Sequence, residues 1–99
     1  MIAEIKRNGS ELTVIPDKRI DVETAPELDR ILAAEVEDVN ALIFDFVHVN
    51  YISSAGLRVL MFYAQKMEDV DGTVKAIHVN EDIHKTFDLT GFLEILNVD

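Results

Sequence analysis

The chain has 99 residues, of which 48% are hydrophobic, and its 9 Lys and Arg against 19 Asp and Glu give a formal net charge of -10. This length is typical of one domain, and the apolar fraction argues against intrinsic disorder. The acidity disfavours nucleic-acid binding, and the absence of cysteine excludes disulfides, thiol catalysis and cysteine-ligated metals. No apolar run approaches the ~20 residues that span a bilayer, and the start of the chain does not resemble a signal peptide, so we expect a soluble cytoplasmic protein.

A β-hairpin is predicted at the start of the chain. Residues 2–6 alternate between apolar and polar side chains, as in a half-buried strand. Asn8-Gly9 is a strong turn signal because both residue types tolerate a positive φ. Residues 12–16 then form the return strand, which ends at Pro16 because proline has no N–H to donate to a neighbouring strand.

A helix and a buried strand are predicted next. Apolar residues at helical spacing indicate a helix within residues 21–36, with Thr24 as its N-cap and Pro26 in its first turn. The nearly continuous apolar run over 39–47 is typical of a strand that is buried on both faces. Such a strand usually lies at the centre of a sheet that helices cover.

Helices and strands are expected to alternate in the second half of the chain. A polar loop over 48–52 leads into a helix that begins near Ser54 and ends near Asp69. The elements that follow are a strand over 73–79, a helix over 81–89 capped by Asn80, and a final segment over 92–98. This order predicts an α/β fold with a mixed central β-sheet and helices packed against it.

The helix that follows Ser54 carries apolar residues on more than one face. The side chains predicted to face the core are Leu57, Leu60, Met61, Ala64 and Met67. Val59, Phe62 and Tyr63 lie outside this stripe. They either pack against a neighbouring helix or form an apolar strip that docks a partner protein.

Ser54 is the leading candidate for a functional residue. It lies at or near a helix N-cap beyond the end of a central strand, where open α/β sheets place their sites. Backbone N–H groups and the helix dipole favour a phosphate at this end, and Arg58, four residues further on, could pair with it. The alternative is that the serine only caps the helix.

Two other kinds of site have little support. A hydrolase would combine Ser54 with one of three histidines and an aspartate such as Asp45, but the G-x-S-x-G elbow is missing because Ile52 stands at the first glycine position. The histidines are His48, His78 and His84, and their spacing matches no zinc motif. We therefore expect no catalytic residues, no metal and no cofactor.

Three segments together resemble the STAS domain, and more narrowly a bacterial anti-sigma factor antagonist. The first is Ile20-Asp21 followed by Thr24-Ala25, which resembles the segment before the first helix of the family. The second runs from Val39 through Tyr51-Ile52-Ser53-Ser54-Ala55-Gly56 to Leu60, and the third is Phe87-Asp88-Leu89-Thr90-Gly91-Phe92. The resemblance extends over nearly the whole chain and implies that residues 1–99 form a single STAS domain.

The resemblance also implies a function. Such an antagonist binds an anti-sigma factor that is a serine kinase, and so frees a sigma factor. The kinase phosphorylates a serine that matches Ser54 here, and a metal-dependent serine phosphatase reverses the modification. We therefore expect a non-enzymatic, monomeric binding module that contacts neither nucleic acid nor membrane. Its expected partner-binding residues are Asp21, Thr24, Ser53, Ser54, Ala55, Gly56, Arg58, Val59 and Phe62.

The sequence departs from the family pattern at three positions. Ser53 stands where many members have Asp, which makes Ser53 an alternative phosphorylation site. Ala55 replaces a second serine, and Lys18 replaces a glycine. A STAS scaffold or regulatory subunit that does not act directly on a sigma factor stays open as a second function.

Overall fold

Residues 2–99 are described by a computed structural model of the chain. The strands in these residues are β1 (Ala3–Asn8), β2 (Glu11–Pro16), β3 (Lys18–Ile20), β4 (Ala41–Asp45), β5 (Val49–Ile52), β6 (Thr73–Ile77) and β7 (Asn97–Val98). The helices are α1 (Ala25–Glu35), α2 (Ser54–Asp69) and α3 (Glu81–Thr90), followed by a 3-10 turn at Phe92–Glu94. The predicted α/β fold is confirmed.

The main sheet is mixed and has the strand order β1-β2-β4-β6-β7. The first pair is antiparallel, and the other pairs are parallel. The central position predicted for β4 is confirmed, but its burial on both faces is wrong. Leu42 and Phe44 are fully buried in the same core as the helices, whereas Ala41, Ile43 and Asp45 on the opposite face are only half-buried.

The hairpin loop lies one residue later than predicted. Asn8 pairs with Glu11, so the strands are joined by Gly9 and Ser10. Gly9 has a φ of 64°. Neither Asn8 nor Ser10 has a positive φ. A positive φ at the first loop position alone is typical of a type II′ turn, whereas Asn-Gly loops usually form type I′.

A second, two-stranded sheet was not predicted. It consists of β3 and β5, which run parallel. The prediction of a loop over 48–52 is therefore wrong. In β5 the residues at the two ends, Val49 and Ile52, are buried, and the two residues between them, Asn50 and Tyr51, are exposed. The strand therefore lacks the alternation of apolar and polar residues that identifies a strand in a sequence.

The predicted helices are confirmed with small changes at their ends. Helix α1 begins at Ala25, because residues 21–24 form a hydrogen-bonded turn before it. Helix α3 is capped as predicted, since the Asn80 side chain accepts a hydrogen bond from the Ile83 N–H at 2.8 Å. It ends at Gly91, whose φ of 81° is left-handed.

Helix α2 buries most of the predicted stripe, with one exchange. Leu57, Leu60, Ala64 and Met67 are buried, but Met61 is 47% exposed, so its assignment to the core is wrong. Tyr63, which was grouped with the outer strip, is 1% exposed. Its place in the core follows from the way α1 packs beside α2.

Candidate functional site

The start of α2 separates the two serines into different roles. Ser53 is the N-cap, with extended backbone and a side chain that accepts a long hydrogen bond, 3.4 Å, from the Gly56 N–H. Ser54 is the first helical residue and is exposed. Its hydroxyl has no hydrogen-bond partner among residues 2–99. The capping role proposed as the alternative for Ser54 therefore belongs to Ser53.

Close packing against β3 and β5 fixes the position of this helix end. The Ser53 N–H donates to the Ile20 carbonyl oxygen at 2.8 Å. A Cβ atom added to Gly56 would lie 2.7 Å from Ile20 Cγ2 and 2.8 Å from Ile52 Cγ1. Gly56 is therefore buried and positions the site, whereas the sequence assigned it to the partner-binding surface.

The turn between β3 and α1 is organised by Asp21. Its Oδ1 accepts hydrogen bonds from the Glu23 N–H at 3.0 Å and from the Thr24 N–H at 3.1 Å. The Thr24 hydroxyl donates to the Arg19 carbonyl oxygen at 3.0 Å and accepts from the Asp21 N–H at 2.9 Å. Thr24 occupies the predicted N-cap position, but its hydroxyl is used in this turn and makes no capping hydrogen bond.

Asp21 is held in its charged form. The hydrogen bond from the Thr24 backbone lowers the pKa of this carboxyl group, and the Glu23 N–H and the Arg19 guanidinium act in the same direction against the effect of burial. Arg19 Nε lies 2.6 Å from Asp21 Oδ2. The same guanidinium lies 5.1 Å from the centre of the Tyr51 ring. The side chain of Arg19 is thus committed to two partners.

A groove of about 440 Å³ runs between α1 and α2, and Ala55, the residue that follows Ser54, is part of its lining. We refer to it as the α1–α2 groove, and its lining residues are Val22, Ala25, Pro26, Asp29, Ala55, Arg58, Val59 and Phe62. Phe62 is 54% exposed and Val22 is 73% exposed. The groove therefore brings together four predicted partner-binding residues, Ala55, Arg58, Val59 and Phe62. It also contains Val22, which was not predicted, although an apolar residue in a loop is a signal for a binding surface.

Tyr63 joins the two helices behind this groove. Its hydroxyl donates to Asp29, with Oδ1 at 2.7 Å and the carbonyl oxygen at 3.0 Å. Burial raises the pKa of the Tyr63 phenol well above its usual range, and the Asp29 carboxylate raises it further. The neighbouring Phe62 ring contacts the Tyr63 ring edge-on at a centroid distance of 5.0 Å. Two adjacent aromatic residues thus divide into one exposed and one buried side chain.

The residues of the hydrolase hypothesis do not come together. His78 Nδ1 lies 2.8 Å from Asp45 Oδ1, and no hydrogen bond within residues 2–99 links either side chain to Ser54. His48 and His84 are exposed. In this part of the chain, no cluster of three or more His, Cys, Asp or Glu side chains is arranged to hold a metal ion. None of its helices is both long enough and apolar enough to cross a membrane.

Comparison with known proteins supports the resemblance. The family model for the STAS domain matches residues 3–99. BtrV of Bordetella bronchiseptica, assigned by its name to the anti-sigma factor antagonists, is 33% identical over 75 residues, which cover 75% of this chain but only 65% of BtrV. The anti-sigma-B factor antagonist of Bacillus subtilis is 27% identical over 95 residues, covering 96% of this chain and 87% of that protein.

Solved structures share the fold. An anti-sigma factor antagonist from Mycobacterium paratuberculosis matches with a TM-score of 0.85 and 24% identity, covering 97% of this chain and 82% of that one. The Bacillus protein SpoIIAA in its phosphorylated form matches with a TM-score of 0.78 and 12% identity, covering 98% and 90%. The chain belongs to the STAS domain family and shares its fold with anti-sigma factor antagonists.

Proposed function

We propose that this protein is an anti-sigma factor antagonist that binds an anti-sigma factor serine kinase and is released when Ser54 is phosphorylated. The family and the names of the related proteins support this function. The observation that carries the site is the exposed Ser54 hydroxyl, free of other hydrogen bonds within residues 2–99 and adjacent to an apolar groove. Binding of the kinase frees a sigma factor, so the protein acts in the cytoplasm, where transcription takes place.

The proposed docking surface is the α1–α2 groove together with Ser54. Phe62 supplies exposed apolar area on α2, and Val22 supplies it from the loop before α1, while the half-buried Val59 lines the groove beside Phe62. Asp21 and Thr24 act through the shape of that loop, since their hydrogen bonds are made within it. Aromatic and aliphatic side chains that become fully buried usually provide most of the binding energy at such surfaces.

Phosphorylation at Ser54 disfavours this complex for an electrostatic reason. A phosphate adds roughly -1.5 to -2 charges. At the edge of a docked interface it must lose water and face any acidic group of the partner. A loss of about 3 kcal/mol in binding free energy weakens the complex more than a hundredfold. A metal-dependent serine phosphatase then returns the protein to its binding form.

Ser54 is a better acceptor than Ser53. The Ser53 side chain accepts the Gly56 N–H at the helix start, so a kinase must break this contact to reach its hydroxyl. Ser53 is also half-buried, whereas Ser54 is exposed. The first test is peptide mass spectrometry of the protein isolated from growing and from stressed cells, because it shows which of these two neighbouring residues carries the phosphate. Phosphate on Ser54 with changing occupancy supports the proposal, and phosphate only on Ser53 moves the site.

A binding experiment tests the function itself. We expect Ser54→Ala to retain the affinity of the unmodified protein for the anti-sigma factor kinase, measured by calorimetry, and Ser54→Asp to weaken it at least tenfold. Ser10→Asp, in the exposed hairpin loop and outside the groove lining, serves as the matched control for added charge. Equal affinities of the wild-type protein and Ser54→Asp would count against the switch. Absence of phosphate and of kinase binding under all conditions would favour the alternative of a STAS scaffold.

A further inference from the structure

Arg58 is placed to respond to the charge state of Ser54. The two residues are four apart in α2, so their side chains lie on the same face with about 5–6 Å between Cβ atoms. Long side chains of a helix lean toward its N-terminus, so the Arg58 guanidinium is within reach of the first turn. Arg58 is exposed, and in the described part of the chain it forms neither an ion pair nor a side-chain hydrogen bond.

The other arginine near this end of the domain is not free in the same way. Arg19 is bound to Asp21 at 2.6 Å and stacked over Tyr51. Moving it toward a phosphate would break both contacts and leave the Asp21 carboxylate without its cation. Arg58 can pair with a phosphate at no such cost, and a guanidinium can donate two parallel hydrogen bonds to phosphate oxygens.

We propose, on the basis of the phosphorylation of Ser54 proposed above, that Arg58 is the internal counter-ion of this phosphate and that the pairing withdraws its guanidinium from the rim of the α1–α2 groove. Asp29 and Arg58 are the charged residues among those that line the groove. Before phosphorylation, Arg58 is available to a carboxylate of the docked kinase. Phosphorylation therefore acts twice, because it introduces negative charge and removes the cation that the partner uses.

The pairing can be measured without any partner. Protein that carries phosphoserine at position 54, introduced by genetic encoding, is titrated with ³¹P NMR between pH 4 and 8. A guanidinium beside the phosphate favours the dianion, so we expect a second phosphate pKa about 0.5 lower than in the same protein carrying Arg58→Gln. Arg19→Gln is the matched control, and it should leave this pKa unchanged.

Each outcome decides a part of the proposal. Equal phosphate pKa values with and without Arg58 would overturn it, and a rise in Arg19→Gln alone would assign the phosphate to Arg19. Because the phosphate is installed chemically, this result is independent of whether a kinase modifies Ser54 in cells. A failure of the proposed function would appear instead as Ser54 that is never phosphorylated, or as Ser54→Asp that binds the kinase normally.

The second half of the proposal is tested with unphosphorylated protein. Arg58→Gln should weaken kinase binding about fivefold to tenfold, as expected when one charged hydrogen-bonded contact of about 1–1.5 kcal/mol is lost. Arg30 is also exposed and does not line the groove, so Arg30→Gln is the control. Unchanged affinity in Arg58→Gln would overturn the role at the groove rim. Thermal melts of both variants confirm that these exposed substitutions leave the fold intact.

Discussion

Replacing Gly56 by alanine should destabilise the protein, although alanine is the better helix former. A Cβ atom at this position would lie 2.7 Å from Ile20 Cγ2, 2.8 Å from the Ile20 carbonyl oxygen and 2.8 Å from Ile52 Cγ1. All three distances are well inside van der Waals contact. The carbonyl oxygen moves least easily, because it accepts the Ser53 N–H that fixes the start of α2.

The expected cost follows from two opposing effects. Overpacking in a close contact of this kind costs about 1–3 kcal/mol. Exchange of glycine for alanine in a helix recovers up to about 1 kcal/mol. The free energy of unfolding should therefore fall by about 1–2 kcal/mol, which corresponds to a decrease in Tm of roughly 4–15 °C for a domain of this size.

Urea unfolding followed by circular dichroism measures this free energy directly. Ser54→Ala is the matched control, since it introduces alanine two residues earlier on an exposed position and should change the stability little. A Gly56→Ala protein as stable as the wild type, or more stable, would refute the argument that β3 and α2 are in contact at this point. A destabilised protein that binds the kinase poorly would also agree with the positioning role of Gly56.

Three further predictions concern the frame around the site. Arg7 donates to the Glu35 and Glu37 carbonyl oxygens at 3.0 and 2.9 Å, so Arg7→Ala should lower the unfolding free energy by about 1–2 kcal/mol in urea titrations, and Arg7→Lys should restore only part of it. Asn80→Ala removes both the helix cap and the hydrogen bond from Asn80 Nδ2 to the Val49 carbonyl oxygen and should cost about 1–2 kcal/mol, whereas Asn80→Ser keeps a capping oxygen and should lose about 1 kcal/mol less; equal losses would contradict a capping role. The folded state raises the pKa of Tyr63, so above pH 10 the unfolded chain loses this proton first, and stability should fall by up to about 1.4 kcal/mol per pH unit. Tyr63→Phe should remove most of this alkaline decrease, and a decrease of unchanged slope would show that other groups cause it.

The helices and the longer strands were predictable because their patterns are local. The predicted strand over 73–79 is observed as β6, which ends at Ile77 because His78 has a left-handed φ of 56°, and the predicted helix over 81–89 is observed as α3, whose ends are marked by cap residues. The position of Ser54 at the start of α2 was predictable for the same reason. A serine pair between an apolar run and a helical stripe identifies a helix start within one or two residues.

The division of roles at that start was not predictable. Ser53 and Ser54 are chemically identical, and only the extended backbone of Ser53 makes it the cap and leaves Ser54 exposed. The burial of Tyr63 and the exposure of Met61 were not predictable either, since helical periodicity alone gives α2 no sharp boundary between its buried and exposed faces. The packing of α1, whose Asp29 accepts the Tyr63 hydroxyl, decides that Tyr63 is buried, while Met61 is left exposed.

By itself, the sequence determined the α/β alternation, the three helices, the central strand and the candidate serine, since each depends on residues close together in the chain. The tertiary structure alone decided the pairing of β3 with β5, the close contact of Gly56 with Ile20, and the groove that places Val22 beside Phe62. These features depend on contacts between residues more than 30 positions apart. Short strands and shared grooves are stabilised by partners that local sequence patterns do not contain.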